Sequence, residues 1–64
     1  MFNVIRDLVK SSQIITIVTS DTTFDDAVIT DVDDLFFKFD YPGNGLTYIY
    51  PLEAIVQIRF PISP

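Results

Sequence analysis

The chain has 64 residues, 48% of them hydrophobic and 14% aromatic, and a net charge of −5. It contains no Cys, His or Trp, which excludes disulfides, a Ser-His triad and the soft metal ligands. The acidic balance weighs against tight nonspecific binding to nucleic acid, whose affinity comes largely from neutralised phosphates.

A single domain, 1–64, is expected. A chain of this length buries only about 60% of the surface that its unfolded form exposes. With no disulfide available, self-association is the expected reinforcement. The opening MFNVIRDLVK is too short and too charged for a secretory leader. No apolar run approaches the roughly 18 residues of a membrane span. A soluble protein in the cytoplasm is expected, a setting that Cys-free usage fits.

In chain order, Phe2, Val4, Ile5, Leu8 and Val9 recur at helical spacing, opposite Asn3, Arg6, Asp7 and Lys10. This predicts a short amphipathic helix over 2–10, ended by Ser11-Ser12. The β-branched run QIITIVT predicts a strand over 13–19. After a turn at SDT, TFDDAVITDV predicts a strand over 23–32 whose polar interior implies bending or partial exposure. Asp33-Asp34 breaks it, and LFFKFDY predicts a strand over 35–41. PGNG at 42–45 is a hairpin turn, because Pro fixes φ while Gly and Asn tolerate positive φ. Strands over 46–50 and 55–60 follow, separated only by Pro51-Leu52-Glu53-Ala54. Pro51 withdraws a donor and fixes φ, so a single tight helical turn is expected there. Pro61 and Pro64 prevent the last strand from continuing.

In LFFKFDY, a period of two sets Leu35, Phe37, Phe39 and Tyr41 against Phe36, Lys38 and Asp40. The apolar set is expected to face the core. One helix and five short strands with tight turns predict an all-β domain, a small five-stranded, strongly bent antiparallel barrel. Such a barrel is only partly closed, and its last two strands carry Arg59 as their one formal charge. Uncharged edges of this kind call for a partner. Edge pairing between identical chains is therefore expected, and it gives a ring if the rotation closes.

The element order, and a last strand pair joined by a tight turn, resemble the Sm-like fold (an SH3-like barrel), including its bacterial branch, Hfq. AVITDVDDLFF can be laid on the first Sm motif, with Ala27 at the Gly position, Ile29 and Phe36 at hydrophobic positions, Asp33 at the Asp and Phe37 at the Asn. YIYPLEAIVQI fits the second motif through Ile55 and Ile58, and Glu53-Ala54-Ile55 is similar to the His-Ala-Ile of Hfq. The resemblance implies a homo-oligomeric ring that binds RNA, with a role in RNA processing or regulation. The departures fall on the family's RNA contacts. Phe37 replaces the Asn, Pro51-Leu52 replaces Arg-Gly, and Leu52 and Glu53 stand at the basic and imidazole positions of the Hfq turn. A structural or protein-interaction ring that has lost RNA binding is the alternative reading.

Nucleic-acid contacts are expected at Phe36, Phe37 and Lys38, where aromatic rings and a cation could hold single-stranded RNA or DNA. The competing reading packs Phe36 under the helix or a neighbouring subunit. Alternation and the motif alignment disagree by one residue over Phe36 and Phe37, and alternation points Phe37 inward. The oligomer interface is expected to use Tyr48, Ile49, Tyr50, Val56, Ile58 and Phe60. Asp31, Asp33 and Asp34 lack the Gly and the distal Glu of a calcium loop and read as a solvated turn, with Asp33 bonding local N–H groups. No catalytic residue, metal, cofactor or small-molecule substrate is expected, and no membrane partner.

Overall fold

The computed structural model describes residues 2–61. Helix α1 spans Phe2–Ser11 and buries Ile5 and Leu8, three residues apart on one face. It ends where Ser12 enters the left-handed region (φ 53), its N–H bonding the Leu8 carbonyl at 3.0 Å. Phe2 and Val4, expected on the buried face, are exposed instead, because the helix rests mainly against one strand. The Arg6 guanidinium lies over the Phe2 ring at 5.7 Å.

Five antiparallel strands follow: β1 (Ile14–Thr19), β2 (Thr23–Val32), β3 (Phe36–Tyr41), β4 (Leu46–Pro51) and β5 (Ile55–Arg59). They form one sheet in the order β4-β3-β2-β1-β5. The sheet is not closed; β4 and β5 are its two ends. The chain passes from one end to the other through a single 3-10 turn, Leu52–Ala54, preceded by Pro51 at φ −67. Three residues span at most about 10 Å, so a flat five-stranded sheet, with strands about 4.8 Å apart, is impossible. The sheet has to bend strongly.

The bend is built into β2. Its pairing with β1 shifts between Ile15 and Ile17, opposite Asp25 and Asp26, and Asp26 sits at φ 57. Its pairing with β3 shifts again between Ile29 and Asp31. Each irregularity inserts a residue and increases the local twist. This accounts for the polar interior of a ten-residue strand: Asp25 and Asp26 occupy the bulge, while Phe24, Ala27 and Ile29 still point inward.

The concave side carries the core: Ile15 and Ile17 from β1, Phe24, Ala27 and Ile29 from β2, Phe37 and Phe39 from β3, closed by Ile5 and Leu8. Its centre is aromatic. Phe24 meets Phe39, Tyr48, Tyr41 and Tyr50 at ring-centroid distances of 4.9, 5.0, 5.2 and 5.6 Å, mostly edge to face. The radius of gyration is 10.7 Å, that of a compact chain of this length.

Leu35 departs from its expected place. It is 65% exposed, and β3 begins one residue later. The turn dictates this: Asp33 folds the backbone back on itself, so Leu35 lies on the turn and escapes the strand's alternation. At the other end, β5 stops at Arg59 and leaves Phe60 beyond the ladder. Pro61 is exposed, and Pro64 lies outside the described residues.

Candidate functional site

The turn from β2 to β3 is held by one carboxylate. Asp33 Oδ1 accepts the N–H groups of Leu35 at 2.8 Å and Phe36 at 2.7 Å, while the Asp33 N–H donates to the Phe36 carbonyl at 2.9 Å. Bonds to Phe36 and Leu35 favour the charged carboxylate and hold the Asp33 pKa below its ordinary value. Asp33 is therefore committed to the backbone. Asp31 likewise accepts from the next residue's N–H at 2.8 Å. Among the described residues, no group of three or more acids could hold a metal ion.

That turn leads directly into β3, where alternation separates neighbours of the same type. Phe37 is 1% exposed and stacks on Phe39 at 5.4 Å. Expected as a nucleic-acid contact, it is instead a core residue whose side chain is buried. Phe36 is 46% exposed on the convex side, with Lys38 exposed two residues on. The helix packs against β2, so Phe36 is not beneath it. Phe36 forms the ridge between two hollows. The smaller, 130 Å³, includes Lys38, Asp31 and Ile49. The larger, 350 Å³, lies between Leu35 and Leu52 and is edged by Asp34 and Glu53.

Cross-strand pairing sets the neighbours of Lys38. Asp31 stands opposite it on β2 and Ile49 on β4. Asp40, also on the convex side, accepts the Thr47 hydroxyl at 2.7 Å. A phosphate approaching Lys38 would thus meet a cation flanked by carboxylates, a weak field for a polyanion.

The sheet ends are the second feature. On β4, Tyr48 and Tyr50 turn inward and are half-buried among the core rings, with Tyr48 stacked on Phe39 at 5.5 Å. Partial burial, with the Asp21 carboxylate and Tyr48 nearby, pushes the Tyr50 phenol above its ordinary pKa. The Tyr48 hydroxyl accepts the Asn44 amide at 2.6 Å, tying the strand to the hairpin turn. Ile49 faces outward and is 67% exposed. On β5, Ile55 and Ile58 pack partly against the core, whereas Val56 is 67% exposed and Phe60 beyond it 51%. Both ends of the sheet thus carry unpaired backbone next to bare apolar side chains.

Two features escape the sequence reading. One is Phe24, whose central place is masked by the Asp pair that follows it. The other is the Leu35–Leu52 groove, formed by residues distant in sequence and joined by the Leu52 N–H bonding the Leu35 carbonyl at 2.9 Å. A hint lay in the separate placement of Leu35 and Leu52 beside Asp34 and Glu53. Among the described residues, no helix is long and apolar enough to cross a membrane. Comparison with protein-family models, characterised proteins and solved structures finds no match to this chain.

Proposed function

We propose that this chain is the subunit of an Sm-like homo-oligomeric ring, a partly closed five-stranded barrel whose function resides in the assembly. The observation that carries this reading is the open sheet ending in two apolar edges, β4 with Ile49 and β5 with Val56. Edges of this kind aggregate unless they are paired. Pairing β4 of one copy with β5 of the next uses every edge once, and a closing rotation makes a ring. The half-buried Tyr48, Tyr50 and Ile58 gain cover from the neighbour, and Ile49, Val56 and Phe60 pack along the joint. Sedimentation velocity tests it. The wild type is expected as one discrete oligomer at micromolar concentration, and Val56→Lys or Ile49→Lys as a folded monomer. A monomeric wild type would sink the proposal.

A second reading gives the ring single-stranded RNA as a ligand, in RNA processing or regulation. It is favoured by the exposure of Phe36 and Lys38 on one side of β3. Repeated around a ring, each pair offers a stacking ring, worth about 1–3 kcal/mol per base, and a phosphate contact. Anisotropy with oligo-U and oligo-A at low and high salt decides it. No binding at low salt, where phosphate contacts are strongest, removes this reading.

A further inference from the structure

We propose that the groove between Leu35, Phe36 and Leu52 is a docking site for a short cationic segment of a partner protein. The segment presents one aliphatic or aromatic side chain flanked by Arg or Lys. The groove lies within one chain, so the proposal does not depend on the ring.

The walls are preformed. Phe36 pairs with Pro51 at the end of the β3–β4 ladder, and the Leu52 N–H bonds the Leu35 carbonyl at 2.9 Å just beyond it. Leu35 is further pinned by its N–H to Asp33. The lining is apolar on four sides, Leu35, Phe36, Pro51 and Leu52, and the volume of 350 Å³ suits one or two side chains rather than a large ligand. Leu35 at 65% exposure is among the most exposed large apolar residues described, and its backbone is held by the turn through its N–H to Asp33 and its carbonyl to Leu52. With the backbone on both sides of the groove already fixed, no loop has to be ordered when the groove is covered, which is the preorganisation that binding rewards.

Charge selects the occupant. The two ionisable residues lining the groove are Asp34 and Glu53, both exposed and both acidic. A phosphate placed there meets repulsion. An Arg or Lys meets a charge-assisted hydrogen bond beside an apolar floor. The net charge of −5 steers cationic segments toward the chain at long range, but it does not choose a place on it. The groove does, because Asp34 and Glu53 border it with no cation among its lining residues, whereas the smaller hollow sets Lys38 beside Asp31 and Asp33.

The test is a titration with a fluorescein-labelled peptide carrying one Leu between Arg pairs. Its Glu-for-Arg counterpart and oligo-U run in parallel, with amide chemical shifts recorded throughout. Saturable binding is expected for the cationic peptide alone, with shifts at Leu35, Phe36 and Leu52. Leu35→Ser, Asp34→Lys and Glu53→Lys are each expected to weaken it about tenfold. Asp25→Lys, the same charge change at the far end of β2, is expected to alter it by less than about twofold. Leu35→Ser leaves the core intact, since that side chain is mostly in solvent. Equal losses for Asp25→Lys and Asp34→Lys would reduce the effect to net charge and overturn the proposal. So would binding indifferent to Leu35→Ser, or preference for oligo-U. Concentration-dependent shifts without peptide that centre on Leu35 and Leu52, and do not run along β4 and β5, would assign the groove to a second copy and also overturn it. Sedimentation of the same variants reports on the ring separately, so the two proposals fail independently.

Discussion

Phe36 and Phe37 are adjacent residues of one type, and their substitution by Leu separates inside from outside on β3. Phe37 is 1% exposed, stacks on Phe39 at 5.4 Å and meets Tyr50 at 6.5 Å. Phe37→Leu keeps an apolar filler but loses both ring contacts, each worth about 0.5–1.5 kcal/mol beyond the area buried. Imperfect refilling adds up to about 1 kcal/mol. The expected total is about 1–4 kcal/mol, a large share of the roughly 3–10 kcal/mol that a domain of this length commands. Phe36 is 46% exposed, and Phe36→Leu is expected to cost no more than about 0.5 kcal/mol. Urea unfolding followed by far-UV circular dichroism measures both, since the chain has no Trp for fluorescence. In thermal melts the Phe37 variant is expected about 4–32 °C below wild type. Dilution series keep any contribution of association visible as a concentration dependence. Equal losses at the two positions, or a larger loss at Phe36, would mean that the β3 register is slipped by one residue, with every side chain on the opposite face.

Asp33→Ala removes the acceptor of two backbone N–H groups and is expected to lower stability at neutral pH. Because the folded-state pKa of Asp33 lies below 3.8, its contribution is present above that value and lost as pH falls through the folded one. The variant's stability is therefore expected to fall less steeply than wild type at acid pH, and urea melts along a pH series check it. The Tyr50 phenol, raised above 10.0, is expected to ionise late in an ultraviolet absorbance titration, and Tyr50→Phe to remove that late step. Its sign is opposite: stability is unaffected below about pH 10 and lost as pH rises through the folded pKa. Gly45→Ala places a Cβ at φ +74 and is expected to cost roughly 1–2 kcal/mol. Gly43→Ala instead drives a Cβ to within 2.8 Å of the Tyr41 ring, so a loss of tyrosine near-ultraviolet dichroism is expected there.

Features set by neighbouring residues are legible in the sequence. The helix, the PGNG hairpin, the Asp33 turn and the tight turn after Pro51 each follow from a few adjacent residue types. The alternation in LFFKFDY places Phe37 inside and Phe36 outside. It misplaces Leu35, because a turn bonded through Asp33 ends the period before that residue. Helical spacing marks five apolar positions on α1, but burial depends on what lies opposite, and only Ile5 and Leu8 are fully covered. In TFDDAVITDV the bulge residues break the period of two, so Phe24 is indistinguishable from a residue on a half-exposed strand. The candidate site suffers most from this limit. Its groove joins Leu35 to Leu52 across a ladder, and no local pattern encodes that meeting.

The order β4-β3-β2-β1-β5 also carries a kinetic consequence. Strands β1 to β4 form a meander in which each pairs with the next, so loop closure for those contacts is short. Strand β5 is the exception: it pairs with β1, matching Ile17 to Ile58 across most of the chain. Long-range pairing is the slow component of folding. The meander is therefore the natural early structure, and β5 the last strand to join. Until it docks, the β1 edge is bare, and nascent chains are exposed to mispairing through the same apolar strand that completes the fold. How long that edge stays bare is set by the speed of β5 docking, a quantity separate from the final stability.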